Sequence, residues 1–97
     1  MNRALAALED IAPLRYAEDW DKVGLLVEPV PSRRLRTLFL TIDLREEVLE
    51  EALAHRAELI CAYHPPIFAP LARFRASRPA ERIAAGVLRS GAALYSP

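Results

Sequence analysis

The sequence predicts an α/β fold with a mainly parallel sheet, because apolar segments of strand length alternate with amphipathic segments. Three apolar runs, residues 37–42, 59–62 and 92–95, have the length and continuity of buried strands. Between them, residues 45–56 and 80–89 repeat apolar side chains at helical spacing. The resulting order of strand, helix, strand, helix and strand predicts parallel strands covered by helices.

The remaining elements follow from apolar spacing and from the positions of proline and glycine. Residues 3–11 place leucine and isoleucine on one helical face, and Pro13 ends that helix. The apolar run 23–27 predicts a short strand ahead of the alternating segments. Pro79 suits the first turn of the last helix, and Gly91 suits its C-terminal end.

The composition indicates a folded chain and excludes several classes of partner. The 97 residues make one small domain or part of a larger one, with 53% hydrophobic and 27% charged residues. A formal net charge of +0 argues against direct nucleic-acid binding, which needs basic residues for phosphate contacts. No stretch approaches the roughly 20 apolar residues that span a bilayer, so no membrane partner is predicted.

The single cysteine and the N-terminal segment bear on the cellular compartment. Cys61 cannot form a disulfide within the chain, which favours a reducing compartment. Its position inside an apolar strand predicts that the thiol behaves as a small hydrophobe. Residues 1–14 are apolar but carry Glu9 and Asp10, which is atypical of a signal peptide. A weak transit-peptide character leaves a mitochondrial location as an alternative.

Polar residues follow each of the three main predicted strands. Asp43 follows the first, Tyr63 and His64 follow the second, and Ser96 follows the third. In open α/β sheets, ligands bind beyond the carboxyl ends of the strands. If the first two strands are neighbours, about 4.8 Å apart, Asp43 and His64 approach each other. Such a pair could bind a divalent metal or transfer protons.

Spacing alone leaves two interpretations of His64. Pro65 restricts the preceding backbone to an extended conformation, which partly fixes the direction of the imidazole, as a metal ligand requires. Alternatively, His64 is a polar turn residue, since one histidine and one aspartate do not make a site. Trp20 and Asp21 have the same ambiguity. They are either a core anchor with a turn cap or residues that line the same crevice.

Four motifs in order resemble the Nif-three-like family (NGG-interacting factor three-like), also called the GTP cyclohydrolase 1 type 2 family. Residues 20–25, WDKVGL, resemble its WDNVGL signature, and residues 38–44, LFLTIDL, resemble its strand ending in DLT. Residues 62–68, AYHPPIF, are similar to its HHPxIF segment and closest to the SYHPPIF of the animal branch. Residues 94–97, LYSP, resemble the start of that branch's YSPHTAxD.

The resemblance implies an α/β domain that self-associates into a ring and carries a dinuclear metal centre in bacterial members. His64 matches the second histidine of the bacterial ligand pair, and Tyr63 stands where the first ligand would be. Asp43, Asp21 and Trp20 would line the site. Divalent metal ions are therefore the expected cofactor of the intact family.

The animal branch implies a role in transcriptional regulation through protein partners, in the cytoplasm and the nucleus. Tyr63 in place of histidine, and Lys22 in place of asparagine, weaken the metal site and favour a vestigial one. The alternative is a dinuclear-metal-dependent, hydrolase-like enzyme that acts on a nucleotide or a related small molecule.

The family's further metal ligands would follow Pro97. Residues 1–97 are therefore expected to be the N-terminal portion of an incomplete Nif-three-like domain. Such a piece would not retain metal and would be inactive as an enzyme. A third interpretation is a partly folded piece whose last strand, residues 92–95, is an exposed edge that favours aggregation.

Overall fold

The computed structural model describes residues 2–16, 23–29, 35–67 and 71–97 and shows an α/β architecture. In chain order the elements are α1 (Asn2–Ile11), a 3-10 turn (Leu14–Tyr16), β1 (Gly24–Val27), β2 (Leu38–Asp43), α2 (Glu46–Ala54), β3 (Leu59–His64), α3 (Pro79–Ser90) and β4 (Ala93–Ser96). Each predicted helix and strand is confirmed, with boundaries that shift by no more than two residues.

The four strands form one sheet in the order β1-β4-β3-β2. The pairs β2–β3 and β3–β4 are parallel, whereas β1 runs antiparallel to β4. The predicted mainly parallel sheet is therefore confirmed, with one antiparallel strand at its edge. The β1–β4 register shifts between Leu25 and Val27, which marks a bulge in this short strand.

The two helices that connect parallel strands cover one face of the sheet. The strand order advances in one direction from β2 to β4, so right-handed crossovers place α2 and α3 side by side. Their buried side chains pack on the inward side chains of β3 and β4 in a core that includes Leu49, Ala52, Ile83, Val87, Ile60, Ala62 and Leu94. Gly86 lets the helices approach closely, since an added Cβ would lie 2.8 Å from Leu49 Cδ2.

The opposite face of the sheet carries a smaller core under α1. Buried side chains of β3 and β4 meet the apolar side of this helix, and the cluster includes Leu59, Cys61, Ala93 and Tyr95 with Leu5 and Leu8. The predicted apolar face of α1 therefore serves this second layer through Leu5 and Leu8, whereas Ile11, placed on the same face by prediction, is 80% exposed. Among the described helices, none has both the length and the apolar character required to cross a membrane.

The prediction that residues 37–42 form a buried strand is wrong. Leu38, Leu40 and Ile42 are exposed by 49%, 67% and 63%. Their strand, β2, lies at an edge of the sheet with β3 as its one described neighbour. An uninterrupted apolar run indicates a strand but not its place in the sheet, and α1 leaves this side of β2 uncovered. We call these three residues the β2 stripe.

The prediction that the last strand is an exposed edge is also wrong. Strand β4 lies between β1 and β3, and all four of its residues are buried. The antiparallel addition of β1 covers the side that three parallel strands alone would have left open. The edges of the described sheet are therefore β1 and β2.

Glu81 fixes the exposed segment 71–78 to the start of α3. Its carboxylate is almost fully buried, and Oε1 accepts a hydrogen bond from the backbone N–H of Arg75 at 3.0 Å. Its Oε2 lies 3.6 Å from Nε of Arg78. Glutamate is favoured in the first turn of a helix, where the helix dipole stabilises negative charge. One buried side chain therefore positions both the segment and the helix start.

Candidate functional site

The carboxyl ends of β2 and β3 bring Asp43 and His64 together. The two residues are direct partners in the parallel register of these strands. Asp43 Oδ1 lies 2.7 Å from His64 Nδ1. The predicted approach of the two side chains is confirmed, and it follows from the pairing of two parallel strands that end at the same level.

The hydrogen bond orients the imidazole. In a neutral ring, Nδ1–H donates to the Asp43 carboxylate, and the lone pair of Nε2 is then available to a metal or a proton. The side chains of His64 and Asp43 are 60% and 48% exposed, so an exogenous group can reach them. The arrangement is that of a carboxylate-held histidine at the edge of a sheet.

Tyr63 does not join this hydrogen bond. Strand alternation places its position on the opposite face from His64, beside Ile42 and the β2 stripe. The side chain is exposed, and the two rings meet with centroids 5.2 Å apart at an interplanar angle of 47°. The phenol therefore belongs to the exposed apolar side of the sheet, and its proposed part in metal binding stays a prediction.

Ser96, the third polar residue at a strand end, has a structural role. It is fully buried, and its Oγ donates a 2.6 Å hydrogen bond to the carbonyl oxygen of Ala62. This bond joins β4 to the end of β3. The hydroxyl is thereby used inside the fold and is not presented to a ligand.

Two other predicted site residues, Trp20 and Asp21, lie outside the described residues, as does Lys22. Their placement at the crevice stays a prediction.

The described part of the chain does not form a metal centre by itself. Within it, no group of three or more His, Cys, Asp and Glu side chains is arranged to hold a metal ion. Structural zinc sites use four protein ligands and catalytic ones three, and a dinuclear centre clamps two ions. His64 supplies one ligand atom and Asp43 holds its ring, so the described residues by themselves do not fit the metal group that the resemblance implies.

Two buried ionisable groups, Cys61 and Tyr95, lie beneath α1. Burial raises the pKa of the Cys61 thiol. Burial is also the largest cause that raises the pKa of Tyr95, followed by the negative charge of Glu9 and by the charge that Cys61 would carry as a thiolate. Both groups are therefore held neutral in the sheet, and the prediction that Cys61 is a small buried hydrophobe is confirmed.

We expect Cys61 to react slowly with an aromatic disulfide reagent in the native protein. The thiolate is the nucleophile, and both burial and a raised pKa reduce its accessible fraction. At pH 8 the native rate should be at least about ten-fold below that of urea-unfolded protein. Absorbance of the released thiolate measures both rates, and equal rates would show that β3 is open to solvent.

Sequence reasoning missed two glutamates that organise the backbone. Glu81 positions segment 71–78, and Glu58 Oε1 accepts the backbone N–H groups of Arg36 at 2.6 Å and Thr37 at 3.0 Å. The location of Glu81 in the first turn after Pro79 is a signal that could have indicated its role. Glu58 joins segments far apart in the chain, so local sequence carries no signal for it.

A family model described as Duf34/NIF3 (NGG1p interacting factor 3) matches residues 1–97, the whole chain. The chain belongs to the DUF34/NIF3 family. This assignment confirms the resemblance that the four sequence motifs indicate.

Curated proteins and solved structures agree with that membership. The chain is 52% identical over 93 residues to NIF3-like protein 1 of Bos taurus, covering 96% of this chain and 25% of that protein. It is 33% identical over 88 residues to the GTP cyclohydrolase 1 type 2 homolog of Bacillus subtilis, covering 91% and 23%. The crystal structure of a Bacillus cereus protein related to NIF3 superposes with a TM-score of 0.88 at 27% identity, covering 98% and 26%.

This DUF34/NIF3 chain is much shorter than the relatives it matches. It spans about a quarter of the length of the Bos taurus and Bacillus subtilis proteins. Nearly all of the chain superposes on the Bacillus cereus structure. The α/β fold is therefore that of NIF3-like proteins.

Proposed function

We propose that this DUF34/NIF3 chain acts in transcriptional regulation through protein partners, in the cytoplasm and the nucleus, with a vestigial metal site. The observation that carries the proposal is the β2 stripe, three aliphatic side chains exposed on one face of an edge strand. The same surface continues through Tyr63, which is also exposed.

Such a surface favours a partner with a complementary apolar face. Exposed apolar side chains that are contiguous commonly mark protein–protein contact sites. The outer backbone of β2 has no strand partner among the described residues, and Leu38–Asp43 contains none of the prolines or lysines that usually protect an edge. A partner can therefore gain both backbone hydrogen bonds and apolar contact.

Two further observations support an interaction role. The matching family model carries the words "interacting factor" in its description. The described residues also show one candidate metal ligand, His64, with an orienting carboxylate, which is fewer than the three protein ligands of a catalytic zinc site. The family resemblance implies self-association, and under this proposal self-association would use the same surface.

A tethered reporter assay tests the proposal. The chain, fused to a heterologous DNA-binding domain, is expected to change reporter transcription in cells, and Leu40→Asp with Ile42→Asp should abolish that change. Leu88→Asp is the matched control, because Leu88 is exposed on α3, away from β2. His64→Ala should leave the reporter response unchanged.

Partner capture from nuclear extract, with identification by mass spectrometry, accompanies the reporter. The proposal requires a transcription-related protein that wild type retains and the doubly substituted β2 stripe loses. If the stripe variant and the control behave alike in both assays, the β2 stripe is not the contact surface.

A second candidate function is that of a dinuclear-metal-dependent, hydrolase-like protein acting on a nucleotide or a related small molecule. The observation that favours it is the 2.7 Å hydrogen bond between His64 Nδ1 and Asp43 Oδ1, which leaves Nε2 of a 60% exposed side chain for a metal. Divalent metal ions would supply an activated water and would stabilise developing negative charge. The described residues contribute His64 as a ligand and Asp43 as the group that orients it.

Metal analysis separates the two candidates. We expect the purified chain to retain well under one equivalent of zinc or manganese and to titrate weakly with either ion. Asp43→Asn should weaken any binding less than His64→Ala, because it leaves the ligand atom in place. Stoichiometric metal that disappears in His64→Ala would contradict the vestigial site and support the enzymatic candidate.

A further inference from the structure

Although the formal net charge of the chain is +0, positive and negative side chains are concentrated in different segments. Residues 71–97 contain five arginines and one acidic residue, Glu81. In contrast, α2 carries glutamates at Glu46, Glu47, Glu50 and Glu51 and no basic residue. Charges are screened over about 8–10 Å at moderate salt, so a partner responds to the local balance and not to the sum.

The arginines border two adjoining hollows beside α3. The first, of about 290 Å³, is lined by Phe74, Arg75, Arg82 and Arg89 together with the small residues Ala85 and Gly86. The second, of about 460 Å³, lies along segment 71–78. Arg75 borders both hollows, which makes them one continuous surface. We call segment 71–78 together with Arg82 and Arg89 the arginine surface.

Three of these cations are available to a ligand. Arg82 Nε is bound to Glu46 at 2.5 Å, and Arg78 faces Glu81. The side chains of Arg73, Arg75 and Arg89 make no hydrogen bond or ion pair with any other described residue. Guanidinium groups bind phosphate oxygens through paired N–H donors, so this surface suits phosphate groups.

Phe74 adds a second kind of contact. Its side chain is 55% exposed, although it lies between Arg73 and Arg75 and beside the first hollow. An exposed aromatic ring among arginines combines a stacking platform with phosphate contacts. Bases that are free of a duplex stack on such rings, whereas paired bases do not present their faces.

We propose that the arginine surface binds single-stranded nucleic acid, with Arg73, Arg75 and Arg89 at phosphates and Phe74 stacked on a base. This goes beyond the proposed protein interaction, which uses the β2 stripe. It also differs from the prediction of no direct nucleic-acid contact, which rested mainly on the net charge of the whole chain.

Other polyanions fit the surface less well. Duplex DNA is usually read by a helix or ribbon whose side chains enter a groove, whereas here the arginines border a concave surface between segment 71–78 and α3. Binding to an anionic membrane generally requires an amphipathic helix with a broad apolar face. An acidic peptide would use the arginines but would gain little from the exposed ring of Phe74. The ring therefore favours unpaired bases.

Fluorescence anisotropy with a labelled oligo-uridine or oligo-thymidine of about 15 nucleotides tests the proposal, since this length fills a typical single-strand site. Arg73→Gln with Arg75→Gln should weaken binding at least about ten-fold. It should also reduce the slope of log affinity against log salt by about 1.4, the value for two lost phosphate contacts. The matched control is Arg45→Gln with Arg56→Gln, which removes two exposed arginines elsewhere and should have little effect.

Substitutions at Phe74 distinguish base stacking from binding through charge alone. Phe74→Leu keeps an apolar side chain but removes the stacking face, and it should weaken single-strand binding about five-fold or more. Phe74→Tyr should retain binding, and duplex of the same length should be insensitive to both changes. Circular dichroism and thermal melting establish that each variant is folded.

Three outcomes would overturn the proposal. Equal losses in the two double-arginine variants would show that only total charge matters. An unchanged affinity in Phe74→Leu would exclude base stacking. Stronger binding to phosphatidylserine vesicles than to the oligonucleotide, with the same dependence on Arg73 and Arg75, would assign the surface to membranes.

Discussion

Replacing Leu94 with alanine is expected to lower the free energy of unfolding by about 2–5 kcal/mol. Leu94 is fully buried in β4, paired with Ile60 of β3 and Val27 of β1, and packed in the core under α2 and α3. The substitution removes apolar contact and leaves a cavity that the surrounding strands cannot close. For a domain of this size, that loss is a large share of the total stability.

Urea denaturation followed by circular dichroism measures the change. Leu40→Ala is the matched control, because it makes the same chemical change at a 67% exposed position on β2. It should shift the free energy of unfolding by no more than about 0.5 kcal/mol. Similar losses in both variants would show that the face bearing the β2 stripe is as buried as the core.

Replacing Glu81 with alanine should cost about 1–3 kcal/mol and should release segment 71–78. The change leaves the backbone N–H of Arg75 without its acceptor and removes the carboxylate that faces Arg78. Glu81→Gln keeps an oxygen acceptor and should lose only part of that stability. Glu47→Ala, on the exposed side of α2, is the control for removing a glutamate.

Limited trypsin digestion provides the local measurement. Cleavage after Arg73 and Arg75 should be faster in Glu81→Ala than in wild type under conditions where the core stays folded. The Glu47→Ala protein should be cleaved at the wild-type rate. Unchanged cleavage in Glu81→Ala would show that other contacts hold the segment.

The elements of this fold were predictable because each has a local cause. Apolar spacing defines α2 and α3, Pro79 begins the last helix, and Gly91 ends it with a φ of 76°. Glycine adopts this left-handed backbone with little strain, so its position is informative. The approach of Asp43 and His64 was predictable for a related reason, since parallel neighbours end at the same edge.

The place of each strand in the sheet was not predictable from local sequence. An apolar run is compatible with a central or an edge strand, and neighbours far apart in the chain decide between them. The antiparallel pairing of β1 with β4 joins segments that are far apart in the chain. It places β4 inside the sheet and leaves β2 at an edge. The exposure of Phe74 likewise depends on the packing of segment 71–78 beside α3, which local sequence does not determine.

The two edge strands of the described sheet, β1 and β2, differ in how readily they can pair with an additional strand. Strand β1 has four residues and a register shift, features that discourage further pairing, whereas β2 offers six residues without a bulge. A sheet with only one edge available for pairing cannot be extended on both sides by further copies. If two copies pair through β2, the open edge of the described sheet is used in both molecules, which favours a closed, two-fold dimer over a fibre.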